Sequence, residues 1–387
     1  MPTILAATSD VATDIAVDDS KGKGGYSNGI YIVGAFPPPV HGMAMLNAAM
    51  CDHLRSRGCV PVVLDLSPAS LSRGWINRLG RIRKVARSLF RYLGAVRSAP
   101  RTTLYAGLSG GWGQWYELLF VLIARLHGAR IFLHHHSFAY VDRKQLVTSL
   151  LVRAAGLSAT HVVGCERQAI KLRHFYPTVS ITRVVSNTAI IWRDQSSKAR
   201  IRERLRRIGF LSNISREKGI SEFLAVTEQL EREKSGIEAA IAGPFEDRAA
   251  EAEVRSALAR LSNLTYAGPR YGPEKAGFWA SIDVLVFPSK YANETAPLAV
   301  YEALHQAIPV IVWRRGCLSD MVLAESGLVI DRDHGFAAAA VECLLRWQRD
   351  PVAFSRASVC AANDFVRQHR ESISQLESLL DEIRLTA

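Results

Sequence analysis

Short runs of aliphatic and β-branched residues recur along this chain, separated by longer stretches in which apolar positions return every three or four residues. In the first half the runs fall at 30–34 (IYIVG), 60–66 (VPVVLDL), around Leu104, and at 130–134, 159–163 and 182–185. Helical spacing lies between them, from the loop after Gly34 to Gly58, from about 114 to 126, and over 142–156 and 166–175. Buried strands alternating with helices predict a parallel sheet. The rhythm restarts at 208–211, with a helix over 220–229, strands at 239–243, 264–268 and 282–287, a helix from about 297 to 306 and a strand from Pro309. From Gly335 the chain reads helical, broken at Pro351, and it closes on an amphipathic helix over about 362–385. Residues 192–207 (WRDQSSKARIRERLRR) are polar and basic with no strand pattern, as a linker would be. Residues 1–28 are too polar and Gly-rich to offset the entropy of ordering. The expected organisation is a tail over 1–28, an α/β domain over 29–190, a linker over 191–207, a second α/β domain over 208–364 and a C-terminal helix over 365–387.

A length of 387 residues suits two domains, each able to bury a core. With 48% apolar and 22% charged residues the composition is that of ordinary globular proteins. No run approaches the roughly 18 to 20 apolar residues that span a bilayer, and the N-terminus lacks a basic region followed by an apolar core. A cytoplasmic chain that neither spans nor is exported is expected. The six cysteines show no CxxC or Cys/His ligand spacing, so neither a zinc site nor a disulfide framework is implied.

The net charge of +12 is spread unevenly. Nine Lys or Arg and no Asp or Glu lie between Ser72 and Arg101. Trp75, Ile76, Leu79, Ile82, Ala86, Leu89, Phe90 and Leu93 recur on one helical face, with Arg81, Lys84, Arg87 and Arg91 opposite. Such a helix suits an anionic membrane surface; a core-packed helix with a solvated basic face and a nucleic-acid patch are the alternatives.

The stretch 287–312 (FPSKYANETAPLAVYEALHQAIPVIV) gathers the most chemistry. It reads as a strand end, a polar loop and a helix N-terminus, where the first N–H groups lack intrahelical partners and favour an anion. The groups there belong to Thr295, Ala296 and Leu298, with Pro297 lacking one. Glu294 in the loop and Glu302 on the helix supply acceptors for sugar hydroxyls. Anion-binding N–H groups beside hydroxyl-binding carboxylates point to a nucleotide sugar; a solvated helix start is the plain alternative. Lys218 and Arg216, in a loop after the strand at 208–211, would neutralise a diphosphate leaving group or simply flank Glu217 in solvent. Gly42, opening a helix after the first strand, lets a backbone approach phosphate, or Pro37 to Pro39 simply make a rigid turn there. His134, His135 and His136 end a strand, whose side chains alternate, so a three-histidine metal site is not expected.

The Glu294-to-Glu302 spacing with the Pro-Val-Ile-Val strand after it resembles the Glu-x7-Glu motif of retaining glycosyltransferases of family 4. The Gly-bearing loop at Gly42, the histidine strand end, Asn187 at the inter-domain turn and the Lys218-Gly219 loop follow in that family's order, over about residues 29–370. The resemblance implies the GT-B fold, two Rossmann-like β/α/β domains facing each other across a cleft. It implies an enzyme, a hexosyltransferase, that moves a sugar from a UDP- or GDP-linked donor without a bound metal or other cofactor. Glu294 and one of His134 and His136 then serve the transferred sugar or the acceptor. Lys218, Arg216, Asn213 and Gly42, with the N–H groups of Thr295, Ala296 and Leu298, hold the donor, Glu302 its ribose, and Gly268, Pro269 and Arg270 border its base. Two departures stand out: His41 replaces a glycine and Asn213 an arginine of the family pattern. With the basic helix, the acceptor is expected to be a lipid-linked saccharide of envelope or exopolysaccharide assembly at an anionic inner-membrane surface, with no nucleic-acid partner. A nucleotide-sugar epimerase of the same fold and a non-catalytic, membrane-recruited binding protein are the rival readings.

Overall fold

A computed structural model describes residues 29–38, 40–67, 75–99, 101–193 and 199–385, the side chains of 75–79 apart. The tail expected over 1–28 lies outside them. The chain divides into two compact units, residues 29–193 with 369–385, and residues 199–368.

The first unit carries β1 (Ile30–Gly34), β2 (Val62–Asp65), β3 (Thr103–Leu108), β4 (Arg130–His135), β5 (Thr160–Val163) and β6 (Ile181–Val184). They form one parallel sheet in the order β2-β1-β3-β4-β5-β6. The helices are α1 (Gly42–Ser56), α2 (Trp75–Ser98), α3 (Gly113–Leu126), α4 (Ala139–Asp142), α5 (Leu146–Ala155), α6 (Glu166–Phe175) and α7 (Asn187–Ile191). The helix expected over 142–156 is split, because Arg143 is extended between α4 and α5. Near-continuous apolar strands are what a sheet covered on both faces requires, and Val33, Leu104, Ala106 and Leu133 are fully buried.

The apolar face expected on α2 needs correction. Among its described side chains Val85, Tyr92 and Val96 are buried, while Ile82 and Phe90 are exposed. Two of its cations turn inward: Lys84 pairs with Asp65, and the Arg81 guanidinium lies over the Tyr116 ring. Arg87 and Arg91 remain exposed. The tyrosine at 92 takes the central buried place because its ring meets Tyr31 and Phe120; a polarity pattern alone places it no better than its neighbours.

The second unit carries β7 (Arg207–Leu211), β8 (Glu238–Ala242), β9 (Leu264–Tyr266), β10 (Val284–Phe287), β11 (Val310–Trp313) and β12 (Gly327–Ile330). Its parallel sheet has the order β12-β11-β10-β7-β8-β9, the doubly wound Rossmann arrangement. Its helices are α8 (Ile220–Arg232), α9 (Arg248–Arg260), α10 (Gly272–Ser281), α11 (Leu298–His305), α12 (Leu318–Met321) and α13 (Phe336–Arg349). The last helix, α14 (Pro351–Arg384), opens on Pro351, where a missing N–H costs nothing. Its final turns belong to the first unit, Glu382 accepting from Arg130, Arg183 and Thr160. Of the basic 191–207 segment, residues 194–198 lie outside the described residues. Beyond them Arg202 is buried, its backbone N–H on Ser358 Oγ and its guanidinium on the carbonyls of Gln306 and Trp279.

Candidate active site

In a doubly wound sheet the loops after two adjacent strands diverge where the strand order reverses, leaving a crevice beyond their C-terminal ends. In the second unit that point lies between β7 and β10. The loop after β7 carries Lys218; the loop after β10 carries Ser289, Tyr291 and Glu294.

Backbone contacts fasten these loops together. Lys290 N–H donates to Glu217 O at 2.8 Å. Gly219 has φ of 91°, and a β-carbon there would meet Pro288 O at 2.2 Å, so only glycine fits so close a crossing. On the far side Arg315 donates to the carbonyls of Tyr291 and Ala292. Gly316, with φ of 53°, lies against the carbonyls of Glu294 and Thr295. The Glu294 loop is thus gripped from both sides.

Within this frame Lys218 Nζ donates to Glu294 Oε2 at 2.7 Å, and Ser289 Oγ donates to the same oxygen at 2.7 Å. Nζ also stands 4.5 Å from the centre of the Tyr291 ring. The lysine side chain is 17% exposed and the glutamate 8%. An ammonium and a carboxylate this sheltered act on a charged ligand with little screening. The Glu294 loop runs into α11, whose N-cap is Pro297. Thr295, Ala296 and Leu298 therefore stand at a helix start, as their spacing predicts, with Thr295 Oγ1 on Asn293 O. One turn along, Glu302 is bridged by Lys275 of α10 at 2.6 Å. The turn Gly268-Pro269-Arg270 precedes α10, with Gly268 O accepting from Gly243 N and Arg270 paired with Glu274.

Two expected donor-site residues are not brought to the Lys218–Glu294 pair by any contact. Arg216 is exposed and holds Glu253 of α9 at 2.8 Å. Asn213 donates to Glu246 at 3.3 Å. Sequence reasoning missed Ser289, Tyr291 and Lys275. Lys275 lies on another helix and Arg315 on another loop, so no local spacing links either to its partner.

The first unit has its own cluster at the ends of β1 and β4. His134 Nδ1 shares a 2.6 Å hydrogen bond with Tyr105 Oη, and its ring lies 4.0 Å from that of His136. His135 points the other way, to Tyr140 and His161, as strand alternation demands. Burial drives the His134 pKa down to about 3, and holds His135 and His136 well below the usual imidazole range. All three are neutral. His136 Nε2 is buried without a hydrogen-bond partner, and His41, the N-cap of α1, is near enough to act on it electrostatically. Gly42 begins α1 with open space where a β-carbon would stand. Among the described residues no group of three or more His, Cys, Asp or Glu is placed to hold a metal ion, and no helix is long and apolar enough to cross a membrane.

Comparison with known proteins agrees with this geometry. Residues 205–346 match the family model described as glycosyl transferases group 1. No curated protein sequence matches the chain. Among solved structures, a sucrose-phosphate synthase from Thermosynechococcus elongatus aligns with a TM-score of 0.69 at 15% identity, covering 93% of this chain and 100% of that one. The Anabaena protein Alr3699/HepE in complex with UDP aligns at 0.63 and 15% identity, over 90% of this chain and 99% of that one. A glycosyltransferase from Rickettsia africae aligns at 0.63 and 11%, over 93% and 100%. At these identities the likenesses establish the fold. Residues 205–346 of this chain thus match the glycosyl transferases group 1 model, within a chain that shares the GT-B fold of these structures.

Proposed function

We propose that the chain is a retaining glycosyltransferase that moves a sugar from a UDP- or GDP-linked donor to a lipid-linked saccharide in envelope or exopolysaccharide assembly, at the cytoplasmic face of an anionic membrane. The observation that carries the reading is the sheltered Lys218–Glu294–Ser289 group at the switch point of a glycosyl transferases group 1 domain. The UDP complex of the Anabaena protein supports a nucleotide donor.

In this reading the diphosphate lies at the N-terminus of α11, where Thr295, Ala296 and Leu298 stand, and takes Lys218 as its counter-charge. Glu294, released from the lysine, accepts hydroxyl hydrogens of the sugar. A fixed ammonium stabilises the charge that develops on the leaving phosphate as the glycosidic bond breaks. That phosphate receives the acceptor's proton as the acceptor oxygen attacks the same face, so a second carboxylate nucleophile is not needed and the donor's configuration is kept. Glu302, oriented by Lys275, binds the ribose, and the turn at Gly268, Pro269 and Arg270 borders the base. His136 rather than His134 is the histidine for the sugar or acceptor, since its buried Nε2 lacks a partner while the His134 ring is held by Tyr105. No metal is required in this scheme, the cation being Lys218.

The test incubates the purified chain with UDP- and GDP-sugars, with and without a membrane lipid extract, and follows nucleoside diphosphate release and the anomeric configuration of the product. Release that depends on one donor and rises with the extract, with configuration retained, is expected. Conversion of a nucleotide sugar with no acceptor would instead identify the epimerase, and donor binding without turnover the non-catalytic protein. A Glu294→Gln enzyme with full rate at saturating donor would remove Glu294 from the scheme.

A further inference from the structure

Helices α2, α3 and α5 lie side by side against the first unit's sheet, and their outer faces share a composition unusual for a protein surface. On α3 and the residue before it, Trp112, Trp115, Leu119, Leu122 and Leu126 are all exposed, by 40% to 85%. Their spacing of three and four residues sets them in one stripe along the helix. The partly exposed Tyr116 and Ile123 border that stripe, and the one charged residue exposed on α3 is Arg125. Scattered exposed apolar residues are ordinary; a continuous stripe with two tryptophans is not.

The neighbouring helices extend it with the same two ingredients. On α2 the exposed Ile82 and Phe90 alternate with Arg83, Arg87, Arg91 and Arg97. On α5 the exposed Leu146 and Leu150 stand with Arg153, while Arg143 and Lys144 precede the helix. Among the described residues of the three helices no exposed one is acidic. Glu117, the carboxylate of α3, is buried and accepts from Ser109 N.

We propose that this three-helix face docks on an anionic phospholipid bilayer, with the tryptophan-leucine stripe of α3 entering the interface and the arginines of α2 and α5 lying along the headgroups. Tryptophan is favoured at the boundary between acyl chains and water. Arginine stems lie along apolar surface while their guanidinium groups reach phosphate. Charge separates this occupant from a second copy of the chain: two such faces together would set arginine against arginine with no exposed carboxylate on the described residues of the three helices, Asp142 beside Arg143 being paired with Lys171. The sequence pattern assigned the membrane to α2 alone, whereas the folded chain centres it on α3 and turns Arg81 and Lys84 away. The surface takes its purpose from the reading of a lipid-linked acceptor, but its test involves neither donor nor acceptor.

The experiment floats the full-length protein with phosphatidylcholine vesicles with and without phosphatidylglycerol. Binding that requires the anionic lipid and weakens with salt is expected. Leu119→Gln/Leu122→Gln should lower partitioning roughly tenfold or more, and Arg83→Gln/Arg87→Gln roughly fivefold for each arginine. Brominated lipid should quench the wild-type fluorescence, and Trp112→Phe/Trp115→Phe should abolish most of that quenching, which keeps the proposal testable if the glutamine variant misfolds. Absence of vesicle binding, or binding and quenching indifferent to these changes, would overturn it. So would a dimer in sedimentation velocity that the leucine variant dissociates, which would give the face to a second copy. An enzyme that transfers sugar to a soluble acceptor yet ignores vesicles would lose this surface and keep its proposed reaction.

Discussion

Replacing Lys218 with methionine separates the two tasks its position gives it. Without donor, its ammonium neutralises Glu294, whose side chain is 8% exposed and otherwise takes a hydrogen bond from Ser289. Removing one partner of a buried ion pair costs about 3 to 5 kcal/mol, because the other charge stays buried. Lys218 itself is 17% exposed and the Ser289 bond persists, so a smaller cost, about 2 to 3 kcal/mol, is expected. For a unit of this size that lowers the melting temperature by roughly 4 to 12 °C. Pairing Lys218→Met with Glu294→Gln removes the stranded charge while the amide oxygen still accepts from Ser289. The double variant should recover about 2 kcal/mol relative to additivity. With donor, no such recovery is expected, since neither a counter-charge for diphosphate nor a carboxylate for the sugar remains. The assay is a double-mutant cycle by chemical denaturation, beside nucleotide protection against thermal unfolding. A Lys218→Met protein as stable as wild type, or a double variant no better than the sum of its parts, would refute the account of the pair as a coupled, sheltered unit.

Acid should unfold the first unit early. Burial depresses His134 to about 3 and His161 to about 4, while unfolded imidazoles titrate near 6.5, so below about pH 6.5 the unfolded chain takes up protons that the folded one refuses. Each histidine then removes about 1.4 kcal/mol per pH unit, and denaturation midpoints should fall steeply between pH 6.5 and 4.5; a flat profile would refute this. Glu117 runs the other way: burial raises it to about 7, so its stability penalty develops as pH rises from about 4.5 to 7, and Glu117→Gln should gain about 1 to 3 kcal/mol at pH 8 and little at pH 5. Gly219→Ala should lose about 1 to 3 kcal/mol from backbone strain alone, more with its contact on Pro288 O, seen as a lower denaturant midpoint at unchanged slope. Lys275→Ala, which frees Glu302, should raise the donor KM several-fold with kcat nearly kept; a pure kcat effect would deny Glu302 its place at the ribose.

The repeated strand-and-helix rhythm made both sheets legible, since a parallel sheet covered on two faces needs near-continuous apolar strands whatever the fold's later use. β12 escaped because GLVI is short and followed by a polar turn, so nothing local distinguishes it from a loop. Glu294 and Lys218 were legible as candidates from their loops. Their pairing was not, because 76 residues separate them and only the strand order β10-β7 brings their loops together. The same limit explains Arg216: a cation beside Lys218 in sequence, it leaves on the other side of the loop toward Glu253, a residue that no spacing rule would connect to it.

An amphipathic pattern fixes which residues share a helix face but not what that face meets. Ile82 and Phe90 fit an apolar face as well as Val85 and Tyr92 do, so periodicity proposes an apolar stripe without saying whether it faces the sheet or the outside. The sheet decides, through Tyr31 and Phe120 closing on Tyr92. Once that contact fixes the helix's rotation, Arg81 is carried toward Tyr116 and Lys84 toward Asp65, and the remaining arginines face outward with Ile82 and Phe90. Apolar residues and cations thus end on one surface instead of opposite ones, and α3 beside it adds an apolar stripe of its own. A helix with cations on the side away from its apolar face needs only water around it. A face that mixes exposed tryptophan, leucine and arginine with no exposed acid is suited to a partner that is apolar beneath and anionic above, as a bilayer interface is.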